Sequence, residues 1–227
     1  MDRSPDELSD VDVPDFQSIL LVDDHELVRS GLKLLIESVI PGARIIEAST
    51  GEKGIDCVAV TPVDLVFMDI MLPGIDGISA ALRLINLYPD IKILILSGRS
   101  ELAVPRAVRE SGICGYITKA SAADEINDAL AAIRRGEFFV SKDLRDRYED
   151  DLLDTGSEAT PFDRLSNREL EVVLLLLKGF KTSDAGVSLT LNAKTVSTYK
   201  RRAFDKLGVD STAELIRLAI DHRVLGY

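Results

Sequence analysis

A chain of 227 residues with 46% hydrophobic and 29% charged content has material for two small cores, which excludes the disordered and fibrous classes. Its longest apolar run, Val172 to Leu177, ends at Lys178, well short of the about 20 residues of a membrane span. The net charge of −11 argues against nucleic acid only until it is divided along the chain.

Residues 1–16 hold six acids within the first fifteen positions and lack a basic-plus-apolar leader, so a disordered tail is expected there and not a secretory signal. From Ser18, short apolar runs alternate with amphipathic stretches. The runs are Ile19–Val22, Arg44–Glu47, Asp64–Met68, Ile91–Leu96 and Ile113–Ile117, with helices expected at 25–39, 51–60, 76–87, 100–111 and 121–135. Continuous apolar runs between helices mark buried parallel strands with crossover helices. The fold expected for 17–137 is a flavodoxin-like α/β sheet of five parallel strands; of the doubly wound orders we take 2-1-3-4-5, which periodicity alone does not fix. Cys57 and Cys114 sit in apolar surroundings without metal-type spacing, as buried free thiols of a cytoplasmic protein would. Residues 138–161 are charged and broken by Gly156 and Pro161, and are expected as a linker with a helical portion around Leu144–Leu153.

The pattern over 162–227 is all-helical, with four helices at 167–178, 182–188, 193–207 and 212–222. Ser166-Asn-Arg-Glu169 and Ser211-Thr-Ala-Glu214 have capping-box spacing, Asn192 can cap the third helix, and Gly208 can stop it in a left-handed turn. This segment holds eleven Lys/Arg against eight Asp/Glu, whereas the preceding 161 residues hold sixteen against thirty. A mildly basic module on an acidic body fits DNA contact at one end.

In a doubly wound sheet the ligand site lies outside the carboxyl ends of the strands. Asp23 and Asp24 end the first strand and Asp69 the third, so order 2-1-3 makes three carboxylates converge. Unaided they repel one another, and a hard divalent cation such as Mg²⁺ relieves this. Ser97 and Lys119 reach the same rim from the fourth and fifth strands. Carboxylates, lysine and hydroxyl together make a pocket for a transferred phosphoryl group, with one carboxylate as nucleophile.

Leu-Val-Asp23-Asp24-His, Phe-Met-Asp69-Ile-Met71-Leu-Pro73-Gly-Ile-Asp-Gly77, Leu-Ser97-Gly and Gly-Tyr116-Ile-Thr-Lys119 resemble the receiver domains of two-component response regulators over about 18–136. The resemblance implies that Asp69 accepts phosphate from a sensor histidine kinase. It implies that Asp24, Asp69 and the Met71 carbonyl hold Mg²⁺, with Asp23 near or through water, and that Ser97 and Tyr116 form a switch pair. Ala120 stands where many receivers carry proline; the family's geometry implies a cis Lys119–Ala120 bond, which without proline costs roughly 3 kcal/mol.

Leu165-Ser-Asn-Arg-Glu169-Leu-Glu-Val and Ala193-Lys-Thr195-Val196-Ser-Thr-Tyr199-Lys-Arg-Arg, followed by Lys206-Leu-Gly-Val, resemble the LuxR/FixJ (NarL) type of helix-turn-helix over about 162–225. Val196, Ala203, Phe204 and Leu207 form its core stripe. By family position Ser197, Thr198 and Arg201 face bases, and Lys194, Thr195, Tyr199 and Lys200 touch backbone or rim. Gly186 inside the preceding helix costs roughly 1 kcal/mol against Ala, which predicts a loose helix there.

The expectation is a cytoplasmic, non-enzymatic response regulator binding double-stranded DNA as a homodimer, with Leu215, Leu218 and Ala219 as candidates for pairing the output domains and RNA polymerase left open as a further partner. Two rivals are a constitutive DNA binder with a receiver used only for dimerisation, and a phosphoryl sink acting through protein contacts.

Overall fold

A computed structural model of the chain describes residues 16–98, 110–145, 160–222 and 224. The expected tail up to residue 15, the expected helix at 100–111 and most of the linker, including its helical portion beyond 145, lie outside the described residues.

The first part is a parallel sheet of six strands in the order β2-β1-β3-β4-β5-β6. They are β1 (Ser18–Val22), β2 (Arg44–Ala48), β3 (Leu65–Asp69), β4 (Lys92–Ser97), β5 (Gly115–Thr118) and β6 (Phe139–Val140). Helices α1 (Glu26–Val39), α2 (Gly51–Val60), α3 (Gly77–Leu87) and α4 (Ala122–Arg134) cover its faces. Alternation along each strand divides the core in two. Ile19, Leu21, Leu65 and Phe67 pack with α1 and α4, and Leu20, Val22, Val66 and Met68 pack with α2 and α3. Each such fully buried side chain contributes about 1.5–3 kcal/mol.

Two boundaries differ from expectation. The sheet has a sixth strand, because Phe139 and Val140 pair with Gly115 and Tyr116. Two residues are too few to register as an apolar run, and the pairing needs a glycine: a Cβ on Gly115 would collide with the Phe139 carbonyl oxygen. Phe16, assigned to the tail, is buried at 7% exposure, with the Arg134 guanidinium 5.5 Å from its ring centroid. Cys57 and Cys114 are free but only half-buried, and burial pushes the Cys114 thiol above its ordinary range.

The second part contains a 3₁₀ turn (Pro161–Arg164), α5 (Asn167–Leu177), α6 (Thr182–Leu189), α7 (Ala193–Leu207) and α8 (Thr212–Asp221). The caps form where expected. Ser166 and Glu169 make a complete capping box, Asn192 Oδ1 accepts the Thr195 N–H at 2.8 Å, and Gly208 takes φ +68°. At α8 the box is half-formed: Ser211 accepts the Glu214 N–H, but the Glu214 carboxylate accepts from Asp210 N–H. Leu215 and Ala219 are fully buried in the core, so they are unavailable for pairing output domains; Ile216 and Ile220 form the exposed apolar face of α8.

Every residue of α5 from Glu169 to Leu177 is buried. A helix apolar on all sides must be covered on all sides, and here α7, α8 and α3 do so. Hydrogen bonds cross between the two parts. Lys178 Nζ donates to the carbonyls of Leu72 (2.8 Å) and Gly74 (3.2 Å), and Arg83 donates to the Ser188 carbonyl (2.9 Å) and Thr190 Oγ1 (3.4 Å).

Candidate functional site

Because β1 and β3 are neighbours, Asp23, directly after β1, comes beside Asp69, the last residue of β3. Asp23 and Asp69 are buried and Asp24 is exposed. Ligand atoms of Asp23, Asp24, His25 and Asp69 all lie within 4.8 Å of one another. Lys119, from the loop after β5, spans the pocket, with Nζ 2.6 Å from Asp23 Oδ2 and 2.9 Å from Asp69 Oδ2. Asp23 Oδ1 accepts the His25 N–H at 2.8 Å, and Asp69 Oδ1 accepts the Met71 N–H at 3.3 Å. Both oxygens of each buried carboxylate are therefore oriented. Helix α3 starts directly beneath, and Gly77 permits this: a Cβ there would fall on the Asp69 carbonyl oxygen.

Burial raises the Asp69 carboxyl above its ordinary range; Lys119 opposes the shift and Asp23 adds to it. Burial alone would lower Lys119, but its bonds to Asp23 and Asp69 outweigh that and hold the ammonium above its usual value. Three carboxylates facing one ammonium leave uncompensated negative charge on oxygen donors. That donor set fits a divalent cation.

Ser97 ends β4 beside Thr118 of β5 and is buried. Tyr116 is fully buried, its ring edge-on to Phe138 at 5.9 Å between centroids. The Met71 side chain is exposed. The Lys119–Ala120 bond is trans, contrary to the expectation drawn from the family's geometry.

On α7, Ser197, Thr198, Arg201 and Lys194 are exposed, while Val196, Ala203, Phe204 and Leu207 are buried as expected. Ser197 and Thr198 donate back to the carbonyls of Ala193 (2.8 Å) and Lys194 (3.0 Å), leaving their oxygen lone pairs outward. Thr195, Tyr199 and Lys200 are half-buried, and Lys200 Nζ lies 5.0 Å over the Phe204 ring. Lys206 pairs with Glu169 at 2.6 Å and braces α7 against α5. Helix α6 forms over its full length. A Cβ on Gly186 would stand 2.8 Å from the Leu191 carbonyl oxygen, so this glycine admits the turn into α7.

Residues 19–131 match the family described as "Response regulator receiver domain", and residues 163–219 match "Bacterial regulatory proteins, luxR family". The response regulator UvrY of Escherichia coli is 35% identical over 206 residues, covering 90% of this chain and 94% of the relative. The chain is a two-component response regulator of the LuxR type. GacA of Pseudomonas aeruginosa is 32% identical over 205 residues, covering 90% of the regulator and 95% of GacA. Among solved structures, Salmonella typhimurium RcsB aligns with a TM-score of 0.66 at 24% identity, covering 92% and 99% of the two chains. RcsB bound to a promoter in the presence of the phosphomimetic BeF3 aligns at 0.63 and 25%, covering 90% and 98%.

Several residues at these sites escaped the sequence reading. His25, whose Nδ1 is 2.7 Å from Asp24 Oδ1, was legible as the neighbour of the Asp pair. Arg202, exposed beside Arg201, lay within the quoted basic motif. Lys178 and Arg83 announce their cross-contacts by no local pattern, since the partners are more than 100 positions away.

Proposed function

We propose that phosphorylation of Asp69 by a sensor histidine kinase controls homodimerisation and sequence-specific binding of this regulator to double-stranded DNA. On this reading residues 17–137 are the receiver and 162–227 the output domain, working in the cytoplasm. The observation that carries the reading is the Lys119 ammonium held between Asp23 and Asp69 at the carboxyl ends of the strands. An Asp69 oxygen forms a bond to phosphorus as the bond from phosphorus to the kinase's histidine nitrogen breaks. Lys119 meets negative charge on the transferring oxygens, and Ser97 donates to the phosphoryl group once it is in place. Mg²⁺, held by Asp24, Asp69 and the Met71 carbonyl with Asp23 alongside, would supply further charge neutralisation. Ser97 and Tyr116 form the switch pair that passes phosphorylation on to the rest of the receiver.

In the output domain Ser197, Thr198 and Arg201 read bases. Lys194, Thr195, Tyr199 and Lys200 hold backbone, and a two-fold dimer presents two such helices to a two-fold site. Asp69→Asn tests the first step: it keeps the shape and removes the nucleophile. Mg²⁺-dependent labelling by acetyl phosphate is expected to vanish with the fold intact, and labelling that persisted at another residue would defeat the assignment.

A further inference from the structure

Thr118-Lys119-Ala120-Ser121 places hydroxyls on either side of the pocket lysine with no proline between them. Ala120 restricts φ far less than proline does, so the aim of Lys119 has to be fixed by other bonds. Those bonds lie on the far side of the strand end. Thr118 Oγ1 accepts the Ser121 N–H at 3.1 Å, lies 2.7 Å from Ser121 Oγ and donates to Asp143 Oδ2 at 2.6 Å. Ser141 Oγ donates to Asp143 Oδ1 at 2.7 Å and accepts the Thr118 N–H at 3.3 Å.

Ser121 occupies the N-cap of α4, yet its side chain caps no helix N–H. A serine in that place usually contributes about 1 kcal/mol to its helix; here the hydroxyl serves the loop. Thr118 and Ser141 are buried, and Asp143 is exposed. Burial would raise Asp143, but the bonds from Thr118, Ser141 and Ser121 hold its carboxyl below the ordinary range. Successive side chains at a strand end point to opposite faces, so a clasp on Thr118 fixes the backbone from which Lys119 reaches the pocket.

We propose that Thr118, Ser121, Ser141 and Asp143 form a clasp that positions Lys119 on Asp23 and Asp69, in place of a proline. Thr118 and Asp143 are positioning residues for phosphoryl transfer, acting through Lys119. The inference rests on the reading of Asp69 as phosphoacceptor.

The test measures initial rates of Asp69 phosphorylation by acetyl phosphate, and Mg²⁺ affinity by calorimetry, on the full-length protein. Thr118→Val is expected to slow phosphorylation about tenfold, since small misplacements of a reacting group cost up to about 100-fold. Asp143→Asn is expected to slow it in the same sense. Thr118→Ser, which keeps the hydroxyl, is expected to retain the parent rate, and Mg²⁺ affinity to stay within about twofold in all three, because Lys119 is no metal ligand. In a Lys119→Met background Thr118→Val is expected to add nothing, because the effect runs through the lysine. A parent-like rate for Thr118→Val, a slow Thr118→Ser, or a further loss in the Lys119→Met background would overturn the clasp while leaving Asp69 as acceptor. Failure of acetyl phosphate to label the parent protein at Asp69 would instead defeat the phosphoacceptor reading, and the clasp with it.

Discussion

The acidic pocket and the basic helix α7 differ in sign and also in how far each is organised before its partner arrives. In the pocket two carboxylates are buried, every oxygen of theirs is oriented, and the lysine between them is fixed within 3 Å of both. On α7 the residues proposed to face bases, Ser197, Thr198 and Arg201, are exposed, and among the described residues Ser197 and Thr198 bond only their own helix. Phosphoryl transfer draws on charges set in place in a low-dielectric site. DNA reading draws on contacts and released counterions that exist only in the complex. Substitutions in the pocket should therefore change rates and metal affinity steeply, and substitutions on α7 should change affinity by single contacts.

The largest expected effect separates the two neighbouring aspartates. Both oxygens of Asp23 are engaged by Lys119 and the His25 N–H, whereas Asp24 is exposed and, among the described residues, pairs with His25. Asp24→Ala is expected to weaken Mg²⁺ binding roughly 100-fold or more and Asp23→Ala roughly tenfold, the size typical of a group acting from behind the ligands. Equal losses in a metal titration would mean that the pocket is less divided than its hydrogen bonds imply.

On α7, Arg201→Ala is expected to cost about 1–3 kcal/mol at one base pair and to relax discrimination there. Lys200→Ala is expected to weaken all duplexes alike and to flatten the salt dependence by less than a full phosphate contact, because Lys200 is half-buried over Phe204. Affinities for matched and altered duplexes at several salt concentrations check both. An exchange of the two behaviours would mean that the helix seats in the groove the other way round.

The smallest effect concerns Glu171, buried where α5 meets α3. Burial raises its carboxyl above the ordinary 4.5, Arg168 at 2.8 Å opposes this, and Asp76 adds to it. The folded protein thus holds this proton more tightly than the unfolded chain. Its cost to stability is absent below about pH 4.5 and grows as pH rises from there through the raised folded value. Glu171→Gln is expected to unfold at a higher temperature than the parent at about pH 7, with the difference gone by about pH 4. A gain that grew on acidification would contradict the assigned direction.

Most of the fold was legible because its signals are local. The apolar runs gave the first five strands, and Ser166, Asn192 and Gly208 marked helix ends that form as expected. The pocket was legible because the strand order converts three sequence positions into one rim. What was not legible depends on partners far away in sequence. Strand β6 exists only by pairing with β5, and Phe16 is core because it joins the cluster under α1 and α4, with Arg134 over its ring. The Thr118–Asp143 bond spans 25 positions, and the Lys178–Leu72 bond spans 106. The apolar run Val172–Leu177 did carry a signal that a second surface would cover α5, but not that α3 would supply it.

The central claim is that the pocket governs the helix, and one measurement addresses it directly: affinity for random genomic fragments with and without acetyl phosphate and Mg²⁺, for the parent and for Asp69→Asn. The account predicts that the phosphodonor tightens binding of the parent to a subset of fragments and leaves Asp69→Asn unchanged. Equal binding by both proteins under both conditions would contradict it, and would make the receiver a dimerisation module on a constitutive DNA binder.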